Sequence, residues 1–236
     1  MSYNLLRFLI LFFSVTFSFP TLAGTSFPQK IKCPVGGEEF TFHATASCTT
    51  FGRSMSFMPI TSCGNLYDIP RCPINGLPLF KTFSEEESKR LEHFLEMNDL
   101  KDKSKWIASY LIAEELGLND REQLDFLIFA FWYETEEFIK DKQWLKSLVE
   151  QYKNNLTNIS EDEQTVIQII IAYAALLASD NKTAQTYIHK ANQMNLNDEY
   201  ILTYAKRVKS CSTKWVEEKC APHVPVDELF EDEIAK

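Results

Sequence analysis

The chain has 236 residues and a formal net charge of −9, from 24 Lys and Arg against 33 Asp and Glu. This acidic balance disfavours nucleic acid and anionic membrane surfaces as partners, because both repel a negatively charged protein. The length suffices for one domain with a sizeable core, or for a helical domain with a small appendage.

Residues 1–23 have the layout of a secretory signal peptide. One positive charge precedes the apolar run Phe8–Phe19. Pro20 ends this run, and small residues follow up to Ala23, after which cleavage is expected. A retained anchor is the alternative, although the run is short for a bilayer span. We therefore expect an exported, soluble protein whose mature chain is residues 24–236.

The next segment, residues 24–82, is rich in Gly, Pro and Cys. Its apolar residues alternate with polar ones in short runs such as "EEFTFHATAS" and "RSMSFMPI". Alternation of this kind between Gly and Pro is typical of short strands. We predict a small, loop-rich β unit over 24–82. A unit of about sixty residues buries little core, so it needs covalent staples.

From residue 83 to 221 the apolar residues recur at helical spacing. Ser84, followed three residues later by Glu87, is a capping-box pattern at the start of the first helix. The Ile-rich stretch Val166–Tyr173 is compatible with a buried strand. The acidic residues before it and the alanines after it favour a helix. The sequence therefore predicts a mainly α fold with a helical domain over 83–221.

The arrangement of these helices favours a helical-hairpin array. Paired helices of about fifteen residues, joined by short Asn/Asp turns, suggest hairpins of tetratricopeptide type. The tryptophan and proline signature of that repeat is absent, so an irregular helical bundle is the alternative. The acidic tail 222–236 is expected to be a flexible end. Within it, Leu229 and Phe230 are candidate partner contacts in a short partner-binding helix.

All six cysteines lie in the mature chain, and an even number in an exported protein points to disulfides. Cys33 opens "CPVGG" and Cys72 opens "CPING". Each resembles a zinc knuckle, C-P-x-C-G, in which Gly36 or Asn75 stands where the second cysteine would be. A structural zinc site needs four ligands, so zinc is the less favoured alternative.

The half-knuckles predict a disulfide instead. In a zinc ribbon the two knuckles face each other. Removal of the ion and of one thiol from each side leaves two sulfurs near enough to bond. We therefore predict Cys33–Cys72 in place of zinc, in a zinc-ribbon-like layout. Cys48–Cys63 across the hairpin between the knuckles and Cys211–Cys220 near the end would be the other pairs. The sequence alone permits many other connectivities.

Motifs of common catalytic sites are missing: the sequence has no G-x-S-x-G, no H-E-x-x-H and no phosphate-binding loop. The acidic runs Glu85–Glu87 and Glu134–Glu137 are interpreted as a helix first turn and a solvated face. We therefore predict a non-enzymatic protein with no cofactor and no metal. Arg53 is a candidate partner contact, the alternative being an exposed strand arginine.

The series "CPVGGEEF…FGRSMSFMPI…IPRCPINGLPLFKTFSEEE" resembles a bacterial family of exported proteins. In that family, degenerate C-P-x-x-G knuckles precede helices similar to tetratricopeptide repeats. It includes the periplasmic accessory proteins encoded with type VI secretion systems, the AsaA/TslA-like group. The resemblance covers residues 33–87, and the family's knuckle cysteines map onto Cys33 and Cys72. It implies a periplasmic factor that supports assembly or positioning of the secretion machine by contacting its membrane-complex components.

Two functions therefore stand as hypotheses. The first is a non-enzymatic periplasmic scaffold protein for type VI secretion, whose partners are envelope proteins. The second is a periplasmic metal- or redox-handling protein that uses its cysteines. A count of free thiols and of bound metal distinguishes the two. A hydrolase with a site between the β unit and the helices is a third hypothesis, which no sequence motif supports.

Overall fold

The computed structural model describes residues 25–63, 67–194 and 198–226, and these are mainly helical after a small β region, as predicted. The strands are β1 (Thr25–Lys32), β2 (Glu39–Ser47), β3 (Thr50–Arg53) and β4 (Pro59–Thr61). The helices are α1 (Glu85–Met97), α2 (Lys105–Leu116), α3 (Asp120–Tyr133), α4 (Thr135–Lys140), α5 (Lys142–Asn154), α6 (Glu161–Leu177), α7 (Asn181–Gln193), α8 (Glu199–Thr213) and α9 (Glu217–Cys220). The predicted signal peptide lies outside the described residues.

The strands form two separate antiparallel hairpins, β1–β2 and β3–β4. The segment "RSMSFMPI" is not one strand, as its alternation suggested. Residues 54–57 form a buried turn between β3 and β4, in which Phe57 N donates to Ser54 O at 2.8 Å. Phe57 itself has a φ of +67°. A bulky residue rarely adopts this left-handed conformation, so the surrounding contacts must hold the turn.

Local signals place the helices where the sequence predicts them. The Ser84 hydroxyl accepts from Glu87 N at 3.2 Å, and the Glu87 carboxylate accepts from Ser84 N at 2.8 Å. This capping box satisfies free amides at the start of α1. Val166–Tyr173 lies inside α6, which is a helix with buried residues on all sides. α6 packs against α5, α7 and α8 and forms the centre of the helical layer.

The β region shares its hydrophobic contacts with the helices. Met55 and Phe57 belong to the larger core cluster, which includes residues of α3, α6 and α8. Cys33, Cys72 and Leu77 belong to a smaller cluster with residues of α1, α2 and the loop between them. The described residues of the β region therefore form no core separate from that of the helices, and the stability of this region depends on the helices that it contacts.

The C-terminal segment differs from the expectation. The flexible tail expected over 222–236 is wrong for residues 222–226, which pack onto the buried turn. Met55 N donates to Val224 O, and Val226 N donates to Arg53 O, both at 2.8 Å. Val224 and Val226 are buried. The prolines and acids of the tail suggested disorder, but the two valines between them bury apolar surface, and the turn supplies backbone partners. Leu229 and Phe230 lie outside the described residues.

The acidic run after α3 also differs from the solvated face that was expected. The Glu134 carboxylate accepts from Trp106 N at 3.2 Å, and Glu137 accepts from Ser104 N at 3.3 Å. Both therefore satisfy free amides at the start of α2. Burial raises the pKa of Glu134, although its hydrogen bonds oppose that shift.

Among the residues described, no helix combines the length and the apolar character that a membrane crossing requires.

Loss of the Met55 side chain should destabilise the junction between the buried turn 54–57, α8 and the segment 222–226. This side chain is 0 % exposed, and the Met55 carbonyl accepts from Tyr204 Oη at 3.0 Å. We expect Met55→Ala to lower the free energy of unfolding by about 2–5 kcal/mol, because the truncation leaves a cavity. Met97→Ala is the matched control, since Met97 is 75 % exposed. Urea denaturation of both variants measures the difference, and equal losses would contradict the packing described.

Glu134 should make stability depend on pH in a defined direction. Since its folded pKa is raised above 4.5, the folded state holds this proton more tightly than the unfolded state. The stability that Glu134 contributes is therefore present at low pH and is lost as pH rises through the raised pKa. Glu134→Gln keeps an acceptor for Trp106 N without titrating.

We expect the stability of the Glu134→Gln variant, relative to wild type, to increase as pH rises above 4.5. Denaturant unfolding across a pH series measures this difference. Glu136→Gln is the control for removal of one carboxylate from the same run, because Glu136 is exposed. A difference for Glu134→Gln that stays flat with pH would contradict the assignment.

Candidate functional site

Two turns of the same size form the candidate site. We call residues 33–38 the first knuckle and residues 72–77 the second knuckle. In each, the cysteine amide donates to the carbonyl five residues later, from Cys33 N to Glu38 O and from Cys72 N to Leu77 O, both at 2.9 Å. The two similar sequences, "CPVGGE" and "CPINGL", thus form turns closed by the same backbone hydrogen bond.

A disulfide between Cys33 and Cys72 joins the two knuckles, with the Cα atoms 5.8 Å apart. This is the pair predicted from the missing ligands. The two residues are 2 % and 1 % exposed, and they share a hydrophobic cluster with Leu77, Leu91 and Leu100. A buried disulfide is poorly accessible to an attacking thiolate, so this bond should resist mild reductants.

Gly36 and Glu38 explain what replaces the missing cysteine of the first knuckle. Gly36 has a φ of +95°, a conformation that favours glycine. A Cβ at this position would lie only 2.6 Å from Oε2 of Glu38. The Glu38 carboxylate therefore occupies space next to the position where the lost cysteine side chain would begin.

The carboxylate of Glu38 is also unsatisfied. Both of its oxygens are buried and have no hydrogen-bond partner among the described residues. One carboxylate oxygen and the sulfurs of Cys33 and Cys72 all lie within 4.8 Å of one another. The sequence analysis did not identify Glu38 as a site residue. The available signal was a carboxylate two positions after the glycine that replaces a ligand.

Asn75 occupies the missing cysteine position of the second knuckle and links the two turns. Its Nδ2 donates to Val35 O at 2.9 Å, and its Oδ1 accepts from Leu77 N at 3.0 Å. One amide side chain thus holds its own knuckle closed and ties it to the first. This contact joins the two knuckles in addition to the disulfide.

Arg71 fastens the second knuckle to the helical layer. Its Nε donates to Gly76 O at 2.8 Å, and its Nη2 donates to Leu100 O in the loop between α1 and α2. Gly76 has a φ of +74°, and a Cβ there would lie 3.1 Å from Lys101 N. The knuckle backbone therefore lies directly against this loop, and the approach requires glycine.

A groove of about 390 Å³ opens beside the knuckles. Its lining is mostly apolar and includes two lysines. The lining residues are Ile31, Lys32, Pro34, Pro70, Leu79, Phe80, Lys81, Thr82 and Phe83. Lys32 and Lys81 are exposed, and Lys81 Nζ lies 2.7 Å from Glu87 Oε1. The groove thus combines apolar surface with positive charge on a chain whose net charge is negative.

The remaining predicted residues lie away from the knuckles. Cys48–Cys63 joins the segments that flank the β3–β4 hairpin, and Cys211–Cys220 joins α8 to α9, with Cα atoms 5.7 and 5.8 Å apart. Arg53 Nη1 donates to Phe57 O at 3.0 Å, and its guanidinium lies 4.6 Å from the centre of the Phe57 ring. Arg53 therefore stabilises the buried turn 54–57 and does not line the groove.

Comparison of the chain with protein-family models, with curated proteins and with solved structures found no match.

Replacement of Gly36 by alanine should lower the free energy of unfolding, because the added Cβ would clash with the Glu38 carboxylate. Gly36→Ala and Gly37→Ala both place a Cβ on a positive-φ residue, which costs about 1–2 kcal/mol. A Cβ on Gly37 would have only Lys32 Cε nearby, at 3.8 Å, whereas one on Gly36 would displace the carboxylate. We therefore expect Gly36→Ala to be the more destabilising of the two in chemical denaturation.

The same pair of glycine substitutions in a Glu38→Ala background isolates this contact. Removal of the carboxylate removes the clash, so the additional cost of Gly36→Ala should shrink in that background. An additional cost that stays unchanged would show that Glu38 does not occupy the space beside Gly36.

Proposed function

We propose that this chain is an exported, non-enzymatic accessory protein that supports the assembly or positioning of a type VI secretion system. It would act through protein–protein contacts with the membrane complex of that system. The observation that carries the binding role is the apolar groove with its exposed lysines beside the stapled knuckles. The secretion role rests on the resemblance of residues 33–87 to periplasmic accessory proteins.

Export into an oxidising compartment is consistent with the cysteine chemistry. All six cysteines are paired, and disulfides persist in the periplasm but are rare in the cytosol. In this proposal residues 1–23 are removed near Ala23, and the mature protein works in the periplasm. The disulfides then supply stability to a β region that has no core of its own.

The helical part of the fold is the second support for a role in binding proteins. We infer that the helices are tetratricopeptide-like hairpins and that the knuckles derive from a zinc-ribbon layout. The pairs α2/α3 and α6/α7 pack closely and have short connections, as such hairpins do. Helical arrays of this type commonly present protein-binding surfaces. The knuckles would act as a rigid attachment at one end of the array.

The groove favours a partner segment that is apolar with acidic residues. Leu79, Phe80 and Phe83 offer apolar contact, and Lys32 is free of any ion pair among those found in the described residues. The backbone behind the groove is fastened by the Cys33–Cys72 bond and by Arg71. A site that is already ordered loses less entropy when a partner binds.

Capture from envelope extract tests this proposal. The mature protein is immobilised as bait, and the bound proteins are identified by mass spectrometry. We expect recovery of membrane-complex components of the type VI secretion system. Lys32→Glu reverses a groove charge and Thr82→Trp fills the groove, so each should reduce capture about fivefold or more, which corresponds to about 1 kcal/mol.

Lys30→Glu is the matched control for the charge change. Lys30 lies on the same strand as Lys32 and is exposed, but it does not line the groove. We expect this variant to capture the partner as the wild type does. Failure to recover any secretion-system component would contradict the secretion role. Equal losses with Lys30→Glu and Lys32→Glu would contradict the groove as the binding surface.

A further inference from the structure

We propose that reduction of the Cys33–Cys72 disulfide converts the paired knuckles into a zinc site with three protein ligands. These ligands are the two cysteine sulfurs and the carboxylate of Glu38. The site exists only in the reduced protein, because sulfurs that are bonded to each other are not available as thiolate ligands. The inference concerns the knuckles and does not depend on what binds the groove.

The first argument is geometric. The two sulfurs and a Glu38 carboxylate oxygen lie within 4.8 Å of one another. A tetrahedral zinc ion with Zn–S bonds of about 2.3 Å and a Zn–O bond of about 2.1 Å holds its ligands at most about 4 Å apart. Once the sulfur–sulfur bond is broken, small side-chain movements of Cys33 and Cys72 are enough to reach this arrangement.

The second argument is that the knuckles stay in place without the disulfide. Asn75 joins the second knuckle to Val35 O of the first, and Arg71 joins the second knuckle to Leu100 O. Each knuckle also keeps its own backbone hydrogen bond. Reduction therefore breaks the disulfide but leaves these hydrogen bonds, which keep the backbone of Cys33, Glu38 and Cys72 in place.

The third argument is that the Glu38 carboxylate has no partner. Both of its oxygens are buried without a hydrogen-bond partner in the described residues, whereas buried polar atoms normally have one. A divalent cation bound at this position would supply the missing partner. Two thiolates with one carboxylate favour zinc over magnesium or calcium, which prefer oxygen ligands only.

The other two disulfides provide an internal comparison. Cys48–Cys63 and Cys211–Cys220 do not belong to any group of three or more potential metal ligands in the described part of the chain. Reduction there frees two thiols without a neighbouring carboxylate in ligand position. The proposed site is therefore specific to one of the three pairs.

The chemistry balances with a dithiol as reductant. The dithiol donates two electrons and two protons to the Cys33–Cys72 bond, yielding two protein thiols, and is itself oxidised to a disulfide. Zn²⁺ then displaces the two thiol protons to solvent, and Glu38 joins as a carboxylate. Three ligands leave one tetrahedral position for water. Bound zinc consumes the free thiols, so it should shift the disulfide equilibrium towards the reduced state.

A zinc titration of the mature chain tests the proposal. The protein is fully reduced with a phosphine under argon and titrated with Zn²⁺ against a chromogenic chelator. We expect wild type to bind one more zinc ion per chain than Cys33→Ser/Cys72→Ser, and Cys48→Ser/Cys63→Ser to retain that ion. The oxidised wild type should lack it. Equal zinc content in the reduced wild type and the Cys33→Ser/Cys72→Ser variant would overturn the proposal.

Glu38→Gln against Glu39→Gln tests the carboxylate ligand. We expect Glu38→Gln to weaken zinc binding about tenfold or more, since even groups behind metal ligands have effects of that size. Glu39 is exposed, and its variant should bind zinc as wild type does. Equal affinities would overturn the role of Glu38. Circular dichroism verifies folding, and thiolate-to-Co²⁺ charge-transfer absorption provides a second readout, expected in wild type and absent in Cys33→Ser/Cys72→Ser.

Discussion

The junction of the two knuckles, closed by the Cys33–Cys72 disulfide and supported by hydrogen bonds of Asn75 and Arg71, is the constraint on which the β region depends. The disulfide joins residues that are 39 apart in sequence and lies in a hydrophobic cluster with residues of α1 and α2. Closing a loop of this length removes about 3–4 kcal/mol of conformational freedom from the unfolded chain. Because the described residues of the β region share their hydrophobic clusters with the helices, this bond, the shared cluster and the hydrogen bonds of Asn75 and Arg71 together hold the two knuckles against the helices.

The two knuckles replace their missing ligands in different ways. Asn75 fills its position with an amide whose hydrogen bonds are both satisfied, so the second knuckle is stable without an ion. Gly36 leaves space that the buried Glu38 carboxylate occupies without a partner among the described residues. The first knuckle is therefore the less satisfied of the two. The unpartnered Glu38 carboxylate of the first knuckle is also the residue that we infer to bind zinc once the disulfide is reduced.

A second junction joins the β3–β4 region to the last described residues, 222–226. The buried turn 54–57 lies between α8 and the segment 222–226, where Phe57 stacks on Tyr204 with ring centres 4.7 Å apart. Cys211–Cys220 keeps α8 and α9 together next to this junction. The buried turn 54–57 and the segment 222–226 are thus both fixed to the helical layer.

The sequence by itself determined the features that depend on residues close to one another in the chain. The capping box of Ser84 and Glu87 and the helix over Val166–Tyr173 were predicted in this way, because caps and helical periodicity act within a few residues. The three disulfide pairs of the structure were also predicted, although the sequence alone permits other connectivities. The two half-knuckles supplied the prediction that Cys33 pairs with Cys72, since each lacks the second cysteine of a zinc knuckle.

Only the tertiary structure decided how Glu38, Glu134, Arg53 and Val226 are used. The sequence analysis placed Glu134 on a solvated face and Val226 in a flexible tail. It took Arg53 as a candidate partner contact and did not identify Glu38. Their roles come from space and partners that other segments supply, as with Met55 and Tyr204, which are 149 residues apart. No local pattern encodes such a contact, because burial and desolvation depend on which distant surfaces meet once the chain has folded.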